Sequence, residues 1–165
     1  SETVLRKDNG GSTGGVFEAC MALGFTPTFD GTSSGVKDRA VFTGDHYENF
    51  QFVFWNGGSA IPTGVQETLD FEVPWDCTIT GWSLLANATG SAVIDIWRDT
   101  FANYPPTVDD TIAGSEKPTL SAASSAQDLA LTTWTAELNK GDILRFNLDS
   151  IATITRLSLT LRVIR

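Results

Sequence analysis

The chain closes on ITRLSLTLRVIR (Ile154–Arg165), and this stretch decides the fold class. Leu157, Leu159, Leu161 and Val163 fall on one side of an extended chain, with Arg156, Ser158, Thr160, Arg162 and Ile164 on the other. A period of two over this length is the signature of a β-strand with one face in a core. The same grammar recurs upstream. Lys140–Gly141–Asp142 turns into the strand Ile143–Leu148, and Gly90 opens a strand in which Ala92, Ile94 and Ile96 oppose Val93, Asp95 and Trp97. Phe50, Phe52 and Phe54 alternate with Gln51, Val53 and Trp55 before the Asn56–Gly57–Gly58 stop.

Between these lie Leu69–Phe71–Val73 ahead of Pro74, and Cys77–Leu85 ending at an expected turn over Asn87–Gly90. Weaker strands are expected near Thr119–Ala123 and Leu129–Thr135. Seven or eight strands separated by Gly, Pro and Asn predict an all-β fold, an antiparallel β-sandwich. Its expected core is Phe52, Phe54, Val73, Ile79, Ile94, Ile96, Leu144, Phe146, Leu159 and Leu161, each from an alternating run.

Residues 1–49 read differently from the sandwich domain at 50–165. They are rich in Gly, Ser and Thr and carry short apolar pieces: Val4, Leu5, Val16, Phe17, Met21, Leu23 and Phe25. Phe17–Leu23 has room for two helical turns stopped by Gly24, too short to stand without a partner surface. The expectation is an extended, mostly irregular N-terminal arm that anchors the body to other chains through those seven residues.

The 165 residues suit one domain, or one domain plus an appendage. No apolar run approaches the roughly 20 residues of a membrane-spanning helix, and the polar start lacks the pattern of a secretion signal. A net charge of −9 argues against nucleic acid as a partner, because phosphate contacts need clustered Lys and Arg. Cys20 and Cys77 lack the spacing of a staple or metal site and are expected buried and reduced, as in a cytoplasm.

Catalytic motifs are missing from the sequence: there is no G-x-S-x-G elbow, phosphate-cradling loop or H-E-x-x-H. The single histidine, His46, sits between Asp45 and Glu48 in a segment that reads as a polar turn rather than a metal site. No two carboxylates are paired by the sequence for glycoside cleavage. Neither an enzyme nor a cofactor is expected. The N-x-T at Asn87 reads as a turn rather than a glycan acceptor.

Two features point to binding. The connection after Trp97 is long and carries Phe101, Tyr104, Pro105–Pro106 and Asp109–Asp110. Loops of this length in compact domains bind something or fold down on their own side chains. Exposed aromatic faces suit a pyranose ring, so Phe101, Tyr104, Asp109 and Asp110 form a candidate glycan site. Trp97 and Trp134 are further aromatic candidates, and packing against the sandwich is the favoured reading for Trp97, Phe101, Tyr104 and Trp134 as a group, with Tyr104 the best exception. The second feature is charge. Arg145, Arg156, Arg162 and Arg165 lie in the last 21 positions beside a single acid, Asp149. They are a candidate subunit interface, because the guanidinium fork pairs well with carboxylates. Pairing within the chain is the competing reading.

Taken together, TITGWSLLANATGS (Thr78–Ser91), the Gly90–Thr119 segment, TTWT (Thr132–Thr135) and KGDILRFNLDS (Lys140–Ser150) resemble the β-sandwich domains of tailed-bacteriophage virion proteins, over roughly Ile61–Arg165. Such domains cap tail fibres and occur in capsid-decorating proteins. The resemblance implies a jelly roll of about eight strands, a homotrimer and a place on the virion after assembly in a host cytoplasm. It leaves two roles, the first the leading expectation and the second the alternative. One is a capsid decoration or cement protein, stapling major capsid protein subunits through the arm and displaying the jelly roll outward. The other is a receptor-binding tail-fibre tip gripping a cell-surface glycan.

Overall fold

A computed structural model of the chain describes the backbone strands Thr26–Phe29 and Ala40–Thr43 and the continuous stretch from Asp45 to Arg165. Two compact units result, 1–45 and 46–165. In the first, β1 (Thr26–Phe29) pairs antiparallel with β2 (Ala40–Thr43), Thr26 opposite Thr43. The expected helix at Phe17–Leu23 and the anchoring residues Val4, Leu5, Val16, Phe17, Met21, Leu23 and Phe25 lie outside the described residues.

The second unit is all-β. Its strands are β3 (Tyr47–Trp55), β4 (Gly64–Val65), β5 (Phe71–Glu72), β6 (Cys77–Thr100), β7 (Thr119–Asp128), β8 (Glu137–Leu138), β9 (Asp142–Ala152) and β10 (Arg156–Ile164). All eight join one antiparallel sheet that curls on itself, in the order β3–β10–β6–β9–β4. The remaining three complete it: β5 adds to β9, and β7 and β8 add to β6.

The 24-residue β6 is the spine of the sheet. β10 runs along its first half, Leu157 opposite Ala86 and Ile164 opposite Thr78. β9 runs along its second half, Ala152 opposite Ser91 and Asp142 opposite Thr100. β7 follows the other side, from Trp82 to Val93.

The turn expected at Asn87–Gly90 is therefore not a reversal: the strand continues through it, with a register shift against β7. Asn and Gly mark a close approach instead. A Cβ on Gly90 would lie 2.3 Å from the Ala152 carbonyl oxygen and 2.7 Å from Ile154 Cγ1. Asn87 Oδ1 accepts from the backbone N–H groups of Thr155 (3.1 Å) and Arg156 (3.0 Å), while its Nδ2 donates to Thr155 Oγ1 at 2.8 Å. The two residues thus hold the β9–β10 corner against the spine. The other mismatches are smaller. Leu129–Thr135 is not a strand, and the weak strand at Thr119 runs on to Asp128. Leu69 belongs to a 3-10 turn, Glu67–Leu69, ahead of β5.

Curling sets β3 over β9 and β5. The rings of Phe52 and Phe146 are 4.2 Å apart, those of Phe54 and Phe146 6.2 Å, and those of Phe50 and Phe71 4.9 Å. The ten expected core residues are all buried here, as is the free thiol Cys77. Gly141, with φ +88°, makes the tight turn into β9.

Candidate recognition site

The end of the connection between β6 and β7 is pinned to the outer face of the sheet by Asp95. Asp95 alternates out of phase with Ile94 and Ile96, so it leaves the core on the side where the connection folds back. It accepts from Trp97 Nε1 at 2.9 Å, Ile96 N at 2.9 Å and Thr111 Oγ1 at 2.6 Å. Lys117 Nζ lies 2.9 Å from it and bridges onward to Asp149 at 2.8 Å. Burial opposes its charge, but the hydrogen bonds from Thr111, Lys117 and Trp97 outweigh it and hold the carboxyl below its ordinary range. Trp97 is accordingly a packing residue. Trp134 is another, half-buried, with Nε1 donating to the Glu116 carbonyl at 3.0 Å.

Beyond this clamp the chain makes two 3-10 turns, Phe101–Asn103 and Val108–Asp110. Asp99 Oδ1 stabilises the first by accepting from Thr100 N and Asn103 Nδ2. In the second, Asp110 Oδ2 accepts from Thr107 N and Oγ1, a capping box. Asp110 is thus engaged in shaping the loop, whereas Asp109 is exposed and makes no side-chain bond among the described residues.

Tyr104 projects between the two turns. Its hydroxyl donates to Asp70 Oδ2 at 2.7 Å and accepts from Arg145 Nη2 at 3.0 Å. Arg145 makes a two-pronged pair with Asp70, and its guanidinium lies 5.1 Å from the Tyr104 ring centroid. Burial works against the Asp70 charge, but the bonds from Arg145 and Tyr104 prevail and depress its pKa. The bond to Asp70 conversely raises the Tyr104 phenol. The hydroxyl is therefore fixed while 51% of the residue stays exposed; Phe101, at 72%, and Val108, at 61%, are exposed on the same loop. The Tyr104 ring is thus an accessible aromatic held in place by ionic bonds. The sequence offered Tyr104 but not its bracing, because Asp70 and Arg145 lie far from it along the chain.

The four arginines separate. Arg145 is buried and paired within the chain. Arg165 lies 3.6 Å from Glu48 and over the Trp75 ring. Arg156 and Arg162 are exposed and make no ion pair among the described residues. They stand on the outer face of β10, Arg156 opposite Trp55 and Arg162 opposite Asn49. Val53, Trp55 and Leu85 are exposed on the same face, an apolar group that strand pattern alone does not distinguish from core.

No group of three or more His, Cys, Asp and Glu capable of holding a metal occurs among the described residues. His46 Nε2 meets Glu48 at 2.9 Å, an exposed surface pair. Comparison with known protein families and with curated proteins finds no match for this chain.

Proposed function

We propose that this chain is a non-enzymatic virion protein of a tailed bacteriophage whose jelly-roll body presents the Phe101–Val108 loop to a cell-surface glycan. One observation carries the reading: the exposed Tyr104 ring, locked by Asp70 and Arg145, on a loop whose Phe101 is also exposed. A sugar stacks on aromatic faces, and a ring that is already held loses little freedom on binding. The facing Phe52 and Phe146 rings of β3 and β9 support a two-layered jelly roll. Adsorption of the purified protein to host cells and to a glycan array tests the role. Tyr104→Ala and Phe101→Ala should abolish binding without unfolding the protein. Binding at wild-type levels by both variants would overturn it.

A second reading, a trimeric cement protein on the capsid, is favoured by Arg156 and Arg162 beside exposed Val53 and Trp55. Charge reversal at Arg162 would then weaken the trimer or its seating on the major capsid protein, most at low salt, where charges are least screened. Deleting residues 1–30 would leave the body folded but unable to join heads. A monomer in sedimentation, indifferent to the reversal, excludes this role.

A further inference from the structure

β3 stands at one end of the sheet, with β10 on one side and no partner on the other among the described residues. The His46 and Arg165 backbones exchange two hydrogen bonds of 3.0 Å, and the register then runs unbroken from Tyr47–Ile164 to Trp55–Arg156. In an antiparallel ladder such doubly bonded pairs alternate with open ones. Glu48, Phe50, Phe52 and Phe54 therefore bond to β10, while Asn49, Gln51 and Val53 turn N–H and C=O outward from the edge. No proline, lysine or bulge blunts that row.

The two faces that meet at the edge differ in chemistry. Toward the core, a cleft of about 400 Å³ separates Asn49–Phe52 from Thr68–Phe71, with Phe50, Phe52, Leu69 and Phe71 as its apolar lining. Leu69 and Phe71 are only half-buried, packed on the margin of the core. The one charged residue in the lining, Asp70, is held by Arg145 and Tyr104. On the outer face β3 presents Tyr47, Asn49, Gln51, Val53 and Trp55, and β10 presents Arg156, Ser158, Thr160 and Arg162. Ser83 and Leu85 of β6 lie opposite Thr160 and Ser158 and extend that face. It carries two arginines and no carboxylate, in a chain with 20 Asp and Glu.

We propose that the β3 edge binds an extended segment of a partner protein in which apolar and acidic residues alternate, added as an antiparallel strand along Asn49–Trp55. The pleat sets the alternation. Side chains opposite Phe50 and Phe52 share their inward face and cover Leu69 and Phe71 in the cleft. Side chains opposite Asn49 and Trp55 share the outer face with Arg162 and Arg156, the β10 neighbours of those two residues. Two strand spacings, about 10 Å, separate the backbones concerned. An arginine and a glutamate side chain together bridge that distance. Backbone bonds supply affinity, and the cleft and the arginines select the sequence, as in other strand additions. A second copy of this chain is the poorer occupant. Its own β3 offers the arginines no carboxylate on the outer face, and its Phe50, Phe52 and Phe54 are already buried in its own core.

The test follows amide hydrogen exchange in the full chain with an end-capped eight-residue peptide of alternating glutamate and valine. Binding should slow exchange at Asn49, Gln51 and Val53 by about tenfold or more. Phe50 and Phe52, already bonded to β10, should change little. The same peptide N-methylated on its glutamates, whose N–H groups face β3 in this addition, should not bind. A lysine–valine peptide should bind at least about tenfold more weakly. The net charge of −9 by itself predicts the opposite order, so the preference reports the local arginines. Arg156→Gln combined with Arg162→Gln, both at exposed positions, should erase it. No slowing with the glutamate peptide, equal slowing with the N-methylated one, or equally tight binding of the lysine peptide overturns the proposal. Protection of these amides in the protein alone also overturns it, because the edge then already holds a strand of this chain or of a second copy.

Discussion

The Tyr104 hydroxyl donates to Asp70 Oδ2 at 2.7 Å, joining the β6–β7 connection to the segment just before β5. Arg145 completes the triangle from β9, bonded to both. An exposed loop is thereby tied to two other parts of the sheet through one carboxylate. The ring that the sequence marks for recognition is held, not loose.

Tyr104→Phe keeps the ring and removes the hydroxyl. Asp70 retains Arg145 and the hydroxyl is reached by water, so only a small loss of stability is expected in chemical denaturation. Glycan affinity should fall less than in Tyr104→Ala, which removes the stacking face as well. Equal losses of affinity in the two variants would assign the role to the hydroxyl instead.

Ile96 and Leu159 are fully buried on β6 and β10. Alanine at either position should cost about 2–5 kcal/mol, from lost transfer energy and the cavity left behind. A change below about 0.5 kcal/mol in measured unfolding, the range of ordinary surface substitutions, would contradict the strand register.

Gly90→Ala forces a methyl onto the Ala152 carbonyl, and the backbone there has two strands to hold it in place. A loss of about 1–3 kcal/mol is expected. Asn87→Ala removes the acceptor of two backbone N–H groups at the β9–β10 corner. It should cost about 1–3 kcal/mol if they stay unpaired, and less where water reaches them. Wild-type melting of Gly90→Ala would mean that the corner does not close on β6.

Glu116 accepts from the Thr132 hydroxyl and from the backbone N–H groups of Thr133 and Thr132. The Thr132 hydroxyl bond first, then the two backbone bonds, bring its pKa from 4.5 to about 2. A depressed carboxyl stabilises the fold above its unfolded value and loses that contribution as pH falls through the folded one. The stabilisation should therefore be complete above about pH 4.5 and fade toward pH 2. Glu116→Gln should flatten the pH dependence of melting within that window. Parallel curves for variant and wild type would show that the carboxylate is not linked to folding.

The alternations at Phe50–Trp55, Ile143–Leu148 and Arg156–Ile164 made the strands, their inward faces and the all-β class legible in the sequence. A period of two is local, since it follows from the pleat of each strand and needs no knowledge of its neighbours. The meaning of Asn87 and Gly90 was not local. The same two residue types suit a chain reversal and a close approach between strands, and only the position of Ala152 and Thr155 against β6 distinguishes them. Arg145 was ambiguous for a similar reason. Its alternation places it on the outside of β9, but the connection carrying Tyr104 covers it there, beside Asp70. The edge position of β3 among the described strands belongs wholly to the tertiary level, because a strand's own residues do not encode how many of its sides acquire partners. Sequence settled which residues face inward; the curl of the sheet decided which outward groups are covered, paired or left open to another molecule.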